Sequence, residues 1–339
     1  MQIQKNASLL GYNSFGINAK AEELLTVEHS SEIPELIEKH LSTVNKHLFL
    51  GGGNNIVFVG DFQGLVVCMA NKGIHKVGED TDSVFVEAEA GEVWDDFVWQ
   101  CLENQWYGLE NLVAIPSSIG AAAVQNIGAY GVEAKDFIHQ VRAYNITDGT
   151  EKIFSNTDCR FGYRDSLFKH CYGRYLIASI TFRLQKTPKL NLSYTAVNQY
   201  LAKNNMDNPT PKQLAQCIAD LRWSKLPKPE AMGSVGSFFK NPVVTATHYE
   251  TLKERYPDIV AYPAGDGYKL AAGWMIEKSG WKGRALGRAG VYEKQALVLV
   301  NLGGCDGYDV VRLANAVTAD VESMFGVRLQ PEAILIRNY

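Results

Sequence analysis

Leu48-Phe49-Leu50-Gly51-Gly52-Gly53-Asn54-Asn55-Ile56-Val57-Phe58-Val59 is the stretch on which the reading of the fold turns. Two apolar runs flank three glycines and two asparagines, which reads as strand, tight turn and strand. Bare backbone N–H groups in such a turn can face an anionic ligand such as a pyrophosphate. The dinucleotide fingerprint of a doubly wound sheet is excluded, because the glycine spacing differs and no helix opens after the turn. Taken alone, the segment is also an ordinary turn.

Working outward, residues 31–44 place Ile33, Leu36, Ile37, Leu41 and Val44 on one helical face behind a serine cap. Strands are expected at 65–69 and at 84–88, the second alternating apolar and acidic residues. After Gly91, the positions Val93, Trp94, Phe97, Val98, Cys101 and Leu102 keep a helical period, and the tryptophans at 94, 99 and 106 read as core and rim. A hairpin joins 142–146 to 152–155, and a strand covers 175–184. Thr210 and Pro211 open a helix that runs to 222. Pro227 and Pro229 then mark a domain boundary near 225–232. Beyond it come a helix at 270–279, a strand at 296–301, a helix at 307–325 stopped by Gly326, and a strand at 327–336 interrupted at Pro331-Glu332.

A chain of 339 residues favours about two domains. With 46% hydrophobic and 21% charged residues, the composition is that of an ordinary globular protein. A net charge of -4 gives no general pull toward nucleic acid or anionic membrane. No apolar run reaches the ~20 residues of a membrane span, and the first residues lack a signal-type apolar core, so a cytoplasmic protein is expected. Cys68, Cys101, Cys159, Cys171, Cys217 and Cys305 show neither paired nor zinc-like spacing, so reduced thiols are expected and no metal site. A monomer is the default reading.

Three segments carry chemistry. Residues 113–132 hold glycines and alanines without a charge, too small for a packed core, and read as a wall for a flat ligand. Residues 159–169 alternate aromatics with Arg160, Arg164 and Asp165, where Arg164 can pair with Asp165 or with a ligand carboxylate. In Gly233-Ser234-Val235-Gly236-Ser237-Phe238-Phe239-Lys240-Asn241-Pro242, a permissive glycine precedes a lightly shielded serine in what reads as a strand-edge loop.

Several motifs then fall in one order: Asn13-Ser14-Phe15-Gly16-Ile17, the glycine turn, Ile115-Pro116, Gln125-Asn126-Ile127-Gly128-Ala129-Tyr130-Gly131, Arg160-Phe161-Gly162-Tyr163-Arg164-Asp165-Ser166, Lys225-Leu226-Pro227, the 236–242 segment, Ala272-Gly273-Trp274, residues 295–301 and Pro331-Glu332. Together they span almost the whole chain and resemble the UDP-N-acetylenolpyruvoylglucosamine reductase family. Leu192-Ser193-Tyr194 is similar to the tyrosine loop of its longer subclass, which folds over bound substrate. The resemblance implies an α+β fold. A two-lobed FAD-binding region of the vanillyl-alcohol oxidase kind would cover 1–226, with lobes at roughly 1–68 and 69–226. A substrate-binding domain would cover 227–339, its last strand free to return to the FAD region.

The resemblance also implies a reaction: NADPH reduces FAD, and an enolpyruvyl ether of a UDP-sugar then receives hydride from flavin N5 at C3 and a proton at C2, giving UDP-N-acetylmuramate for peptidoglycan synthesis. By position in the family pattern, Ser237 gives the proton, while Arg164 and a protonated Glu332 meet charge on the substrate carboxylate. The flavin would lie along Gly51, Gly52, Gly53, Asn54, Asn55, Ile115, Pro116, Ser117, Gly120, Asn126, Gly128, Ala129, Tyr130 and Gly131, with Arg222 near its phosphates. Tyr163, Tyr194, Lys225, Asn241, Tyr262 and Lys282 would hold the UDP-sugar. Elementary chemistry makes the same demands, since hydride addition drives negative charge into the carboxylate. A serine is a poor acid unless charge lowers its pKa, and Lys225 and Lys240 are the candidate cations. The chain departs from the family at Ser117, where glycine is usual, at Ala121, Ala122 and Ala123, where serine is frequent, at Tyr292 in place of histidine, and at Ile334 in place of arginine. The alternatives are another FAD-dependent oxidoreductase of the same fold, such as a sugar or alcohol oxidase, and a non-catalytic flavin or nucleotide-sugar binder.

Overall fold

The structure, a computed structural model, describes residues 2–42, 44 and 46–338. The chain forms two compact units: one of Met1–Ala7, Ala21–Gly53 and Gln63–Ser224, the other of Ser8–Lys20, Asn54–Phe62 and Lys225–Tyr339.

The first unit is built on two sheets. One has strand order Ile3–Ser8, Lys20–Val27, Phe62–Met69, His47–Leu50, the last two parallel. The other is antiparallel, in the order Glu151–Ser155, Ile138–Asn145, Tyr175–Gln185, Ser83–Glu89, Ile74–Glu79. Its middle strand, Tyr175–Gln185, is buried on both faces from Leu176 to Phe182, with Ser179 and Thr181 as buried polar residues on the way and Arg183 exposed. Val84, Val86 and Ala88 alternate into the core as their spacing requires. The helix Trp94–Glu103 buries Trp94, Phe97, Val98, Cys101 and Leu102, and Trp94 donates its indole N–H to Leu112 O at 2.8 Å. Trp99 and Trp106 are half-buried, so the three tryptophans are core and rim as expected.

Two local expectations are corrected. The helix at 31–44 is a single α turn, Ile33–Leu36, running into a wider π turn, Ile37–Leu41, and no serine caps it. Glu32 takes the amides of Glu28 and His29 instead, while Ser30 Oγ bonds Glu89. Thr43, inside the expected range, lies outside the described residues. The alanine-rich stretch at 113–132 contains a helix, Ile119–Gln125, capped by Ser118. Gly120 packs there with its amide on Ala90 O at 2.9 Å, and an added Cβ would sit 3.0 Å from Ala90 Cβ. Close approach of helix to sheet therefore accounts for part of the small-residue composition.

The second unit has a sheet ordered Ser234–Ser237, Val298–Asn301, Ala289–Val291, Ala285–Leu286, and a smaller one ordered Val243–Thr245, Gly267–Leu270, Ala261–Ala264. The helix Gly307–Phe325 buries Val310, Leu313, Ala314, Val317 and Val321 and stops at Gly326, whose φ is +65. The expected strand at 327–336 is confined to Ile334–Ile336, paired in parallel with Ile56–Phe58. Pro331 makes only an isolated bridge to Phe239, because it lacks the N–H that a ladder needs. Among the described residues no helix is long and apolar enough to cross a membrane.

Candidate active site

In the first unit the glycine turn abuts the cap of the Ile119–Gln125 helix. A Cβ on Gly51 would stand 2.1 Å from Ser118 Oγ, so any larger residue would have to displace the hydroxyl that caps the helix. Gly53 has φ +63. The amides of Gly51 and Gly52 donate to no protein acceptor among the described residues. Ser117 Oγ is turned onto Ser118 O at 3.0 Å.

Next to Ile115-Pro116 stands Ala114, a non-glycine residue at φ +58. It is held from both sides: its amide donates to Asp95 Oδ1 at 2.6 Å, and its carbonyl accepts from Arg222 Nε at 3.0 Å. Burial lowers the Arg222 pKa; Tyr130 opposes that fall, Arg164 adds to it, and Asp95 opposes it. Burial likewise raises the Asp95 pKa. For a half-buried guanidinium near a second cation the charged form is disfavoured, and an anionic ligand relieves that.

Arg164 sits at φ +53, where its guanidinium donates to Gly128 O at 2.6 Å and to Asn126 O at 3.4 Å. Its neighbour Asp165 is engaged by His170 at 2.7 Å. The loop carrying Arg164 is tied to the Ile119–Gln125 helix: Ser166 Oγ donates to Val124 O, and Lys169 Nζ donates to Gln125 Oε1 and Arg164 O. Asn126 is fully buried at φ +44, its amide spent on Gly162 O and Glu133. The Tyr130 ring meets Tyr194 edge-on at 5.1 Å, and Tyr163 lies under the Arg164 guanidinium. Asn111 donates to Tyr130 O and Asn191 O, linking the two tyrosine-bearing segments.

In the second unit, Ser237 ends an edge strand, and the chain beyond it runs antiparallel to residues 330–333. Phe238 O accepts from Glu332 N at 2.7 Å, and Lys240 N donates to Gln330 O at 2.9 Å. Asn55 closes the group from the other side: its Nδ2 donates to Glu332 O, and its carbonyl accepts from Ile334 N. Ser237 and Glu332, distant in sequence, thus sit on adjoining segments. Gly236 has φ +70, and an added Cβ would meet no protein atom within 4 Å. The protein around it therefore demands glycine for its backbone conformation and not for room, in line with a permissive glycine before the serine.

The remaining candidates in this unit make contacts of their own. Asn241 Oδ1 accepts from Ala272 N at 3.0 Å, at the start of the helix Ala272–Lys278. Tyr262 is exposed opposite Lys269 in a hairpin, and Lys282 pairs with Glu277 at 2.9 Å. Among the described residues no hydrogen bond joins Ser237 to Lys225 or Lys240.

The sequence profile of the UDP-N-acetylenolpyruvoylglucosamine reductase C-terminal domain matches residues 228–336, and that of an FAD binding domain matches 22–155. UDP-N-acetylenolpyruvoylglucosamine reductase of Bdellovibrio bacteriovorus is 44% identical over 338 residues, covering 98% of this chain and 99% of that protein. The Pseudomonas aeruginosa protein of the same name is 45% identical over 333 residues, covering 98% of each. The chain belongs to the UDP-N-acetylenolpyruvoylglucosamine reductase family.

The crystal structure of UDP-N-acetylenolpyruvylglucosamine reductase from Thermus caldophilus has the same fold, with a TM-score of 0.68 at 21% identity over 99% of this chain and 100% of that one. The expected fold class stands: α+β, an FAD-binding region followed by the family's C-terminal domain. As a member of this reductase family the chain is an FAD-containing oxidoreductase. The residues present fit the cofactor. Two undirected amides, one of them on Gly51 where a Cβ would strike Ser118, with the half-buried Arg222 cation in the same unit, suit an anionic diphosphate.

Sequence reasoning missed Asp95, Ala114, Asn111 and Lys169. Only Asp95 had a sequence signal, an acid in the first turn of a helix, and that signal reads as a dipole partner. Of the departures from the family pattern, Tyr292 donates its amide to Val298 O, and Ile334 is a ladder residue beside Ile56.

Proposed function

We propose that this chain reduces UDP-N-acetylglucosamine enolpyruvate to UDP-N-acetylmuramate with NADPH, in peptidoglycan precursor synthesis. The observation that carries the reading is the pairing of the Ser237 and Glu332 segments through Phe238 O and Glu332 N. We assign residues 1–226 to the FAD region and 227–339 to the substrate-binding domain, which the family match at 228–336 supports.

Bound FAD, reduced by NADPH, supplies the hydride from N5 to C3 of the enolpyruvyl group. As the C3–H bond forms, the electron pair of the double bond moves toward C2 and its carboxylate. Arg164, as guanidinium, and Glu332, in its acid form, donate to that carboxylate and hold the growing charge. Ser237 Oγ–H gives its proton to C2, and the oxygen regains a proton from solvent. Lys225 and Lys240 are the candidate cations for lowering the serine's pKa, and neither is hydrogen-bonded to Ser237 among the described residues. Tyr163, Tyr194, Lys225, Asn241, Tyr262 and Lys282 hold the UDP-sugar, the lysines and tyrosines meeting its diphosphate. The glycine turn at 51–55 and the segments at 115–120 and 126–131 lie along the cofactor, with Arg222 toward its phosphates.

The test is the visible spectrum of the purified protein. A flavin band that bleaches with NADPH and returns on anaerobic addition of the enolpyruvyl nucleotide supports the reading; return with a simple sugar or alcohol product, or no flavin band, overturns it. Ser237→Ala is expected to bleach with NADPH yet lose product formation by about a hundredfold or more. Full-rate product formation by that variant would remove Ser237 as donor.

A further inference from the structure

Val235 and Phe238 are buried, whereas Gly236 and Ser237 between them are partly open. That spacing breaks the two-residue alternation of a regular strand. The ladder explains it. Ser234 faces Val300 and Ser237 faces Val298, so three steps on one strand match two on its partner, and the strand carries one extra residue. This is a β-bulge, with Gly236 at φ +70 inside it. In unbroken alternation Ser237 would share the buried face of Val235, so the bulge is what turns its hydroxyl out of the core.

A bulge can shift along a strand unless its flanks are fixed. On the far side, Phe238 N donates to Leu297 O at 2.8 Å. On the near side the clamp comes from the other end of the sequence. Ser14 Oγ donates to Ser234 O at 2.7 Å, and Ser234 N donates to Ser14 O at 3.1 Å. Asn301 supports the same segment, its Nδ2 donating to Phe15 O at 2.9 Å and its backbone N to Gly233 O at 2.9 Å. Gly233 has no room for a side chain, since Phe15 O would lie 2.3 Å from its Cβ. All of these residues belong to one compact unit.

We propose that Ser14 is a positioning residue for the proton transfer: it locks the strand at Ser234 so that the bulge stays at Gly236 and presents Ser237 to the reacting carbon. The inference rests on the reading of Ser237 as donor.

The experiment compares Ser14→Ala, Ser14→Thr and Ser237→Ala holoenzymes by stopped-flow flavin absorbance. Reduction by NADPH and reoxidation by UDP-N-acetylglucosamine enolpyruvate are followed separately, the second in both H2O and D2O. Ser14→Ala is expected to be reduced at the wild-type rate and reoxidised about tenfold more slowly. Its solvent isotope effect should be larger, because a misplaced donor makes proton transfer limiting; Ser14→Thr should restore both. Should the alanine variant fail to fold, Ser14→Cys, of similar shape and a weak donor, is expected to give the same split. Unchanged reoxidation in Ser14→Ala, or equal slowing of both halves without a change in isotope effect, overturns the positioning role while loss of turnover in Ser237→Ala leaves the donor reading standing. Full turnover in Ser237→Ala overturns both.

Discussion

Gly233 and Gly236 are glycine for different reasons, and substitution separates them. Gly236 has open space but a left-handed backbone, so Gly236→Ala is expected to cost about 1 kcal/mol from backbone strain alone. Gly233→Ala drives a methyl into Phe15 O and should cost more, about 2–3 kcal/mol. Urea denaturation of both variants checks the order, and equal values would contradict it. Candidate serine, arginine and glutamate residues were legible in the sequence because fixed places in short motifs survive the loss of three-dimensional information. Their supports were not. Ala114 is an unremarkable letter in the sequence, yet it stands at φ +58 between Asp95 and Arg222, and no local pattern announces such a contact. Arg164 read as a partner either for Asp165 or for a ligand carboxylate; Asp165 bonds His170, and the guanidinium reaches the carbonyls at 126 and 128.

Elements with their own stop and start signals were the ones read well. The helix Gly307–Phe325 has a reciprocal cap, with Asp309 N donating to Asp306 Oδ1 at 2.8 Å and Asp306 N to Asp309 Oδ2 at 3.2 Å. Asp306→Ala is expected to lower stability by about 1 kcal/mol, read as a fall in Tm with the flavin spectrum unchanged. The helix Pro211–Lys225 shows the same logic, Thr210 and Gln213 capping each other. Short strands such as Ile74–Glu79, mostly exposed, carry too little alternation to be found. The 113–132 stretch was read as a ligand wall because small residues serve a ligand and a closely packed helix equally, and composition does not distinguish them. The strand expected at 327–336 shortened because pairing, not apolar content, defines a strand: only Ile334–Ile336 forms a continuous ladder, while Pro331 makes an isolated bridge.

At the scale of the molecule, the six cysteines are free, and five of them are buried. Burial pushes the thiols of Cys159 and Cys305 up to about 12 and that of Cys217 to about 11, and it raises Cys68 and Cys101 as well. At pH 8 a thiol reagent should therefore label the native protein quickly at half-buried Cys171 alone and at six sites after denaturation. The linkage has a definite sign: a thiol raised by folding contributes its full share below the unfolded value of about 8.5 and loses it as pH climbs toward the folded value. Denaturant midpoints should accordingly fall between about pH 9 and 12. The sequence by itself determined the family, the cofactor class and the order of the main helices, and it named candidate residues for the chemistry, because motifs and hydrophobic periods are local properties of the chain. Tertiary structure alone decided how those residues are aimed. A Cβ at Gly51 would run into the Ser118 side chain, and Ser237 leaves the core because the ladder with Val298–Asn301 carries one extra residue. Strand register is a relation between two segments, so neither segment encodes it alone.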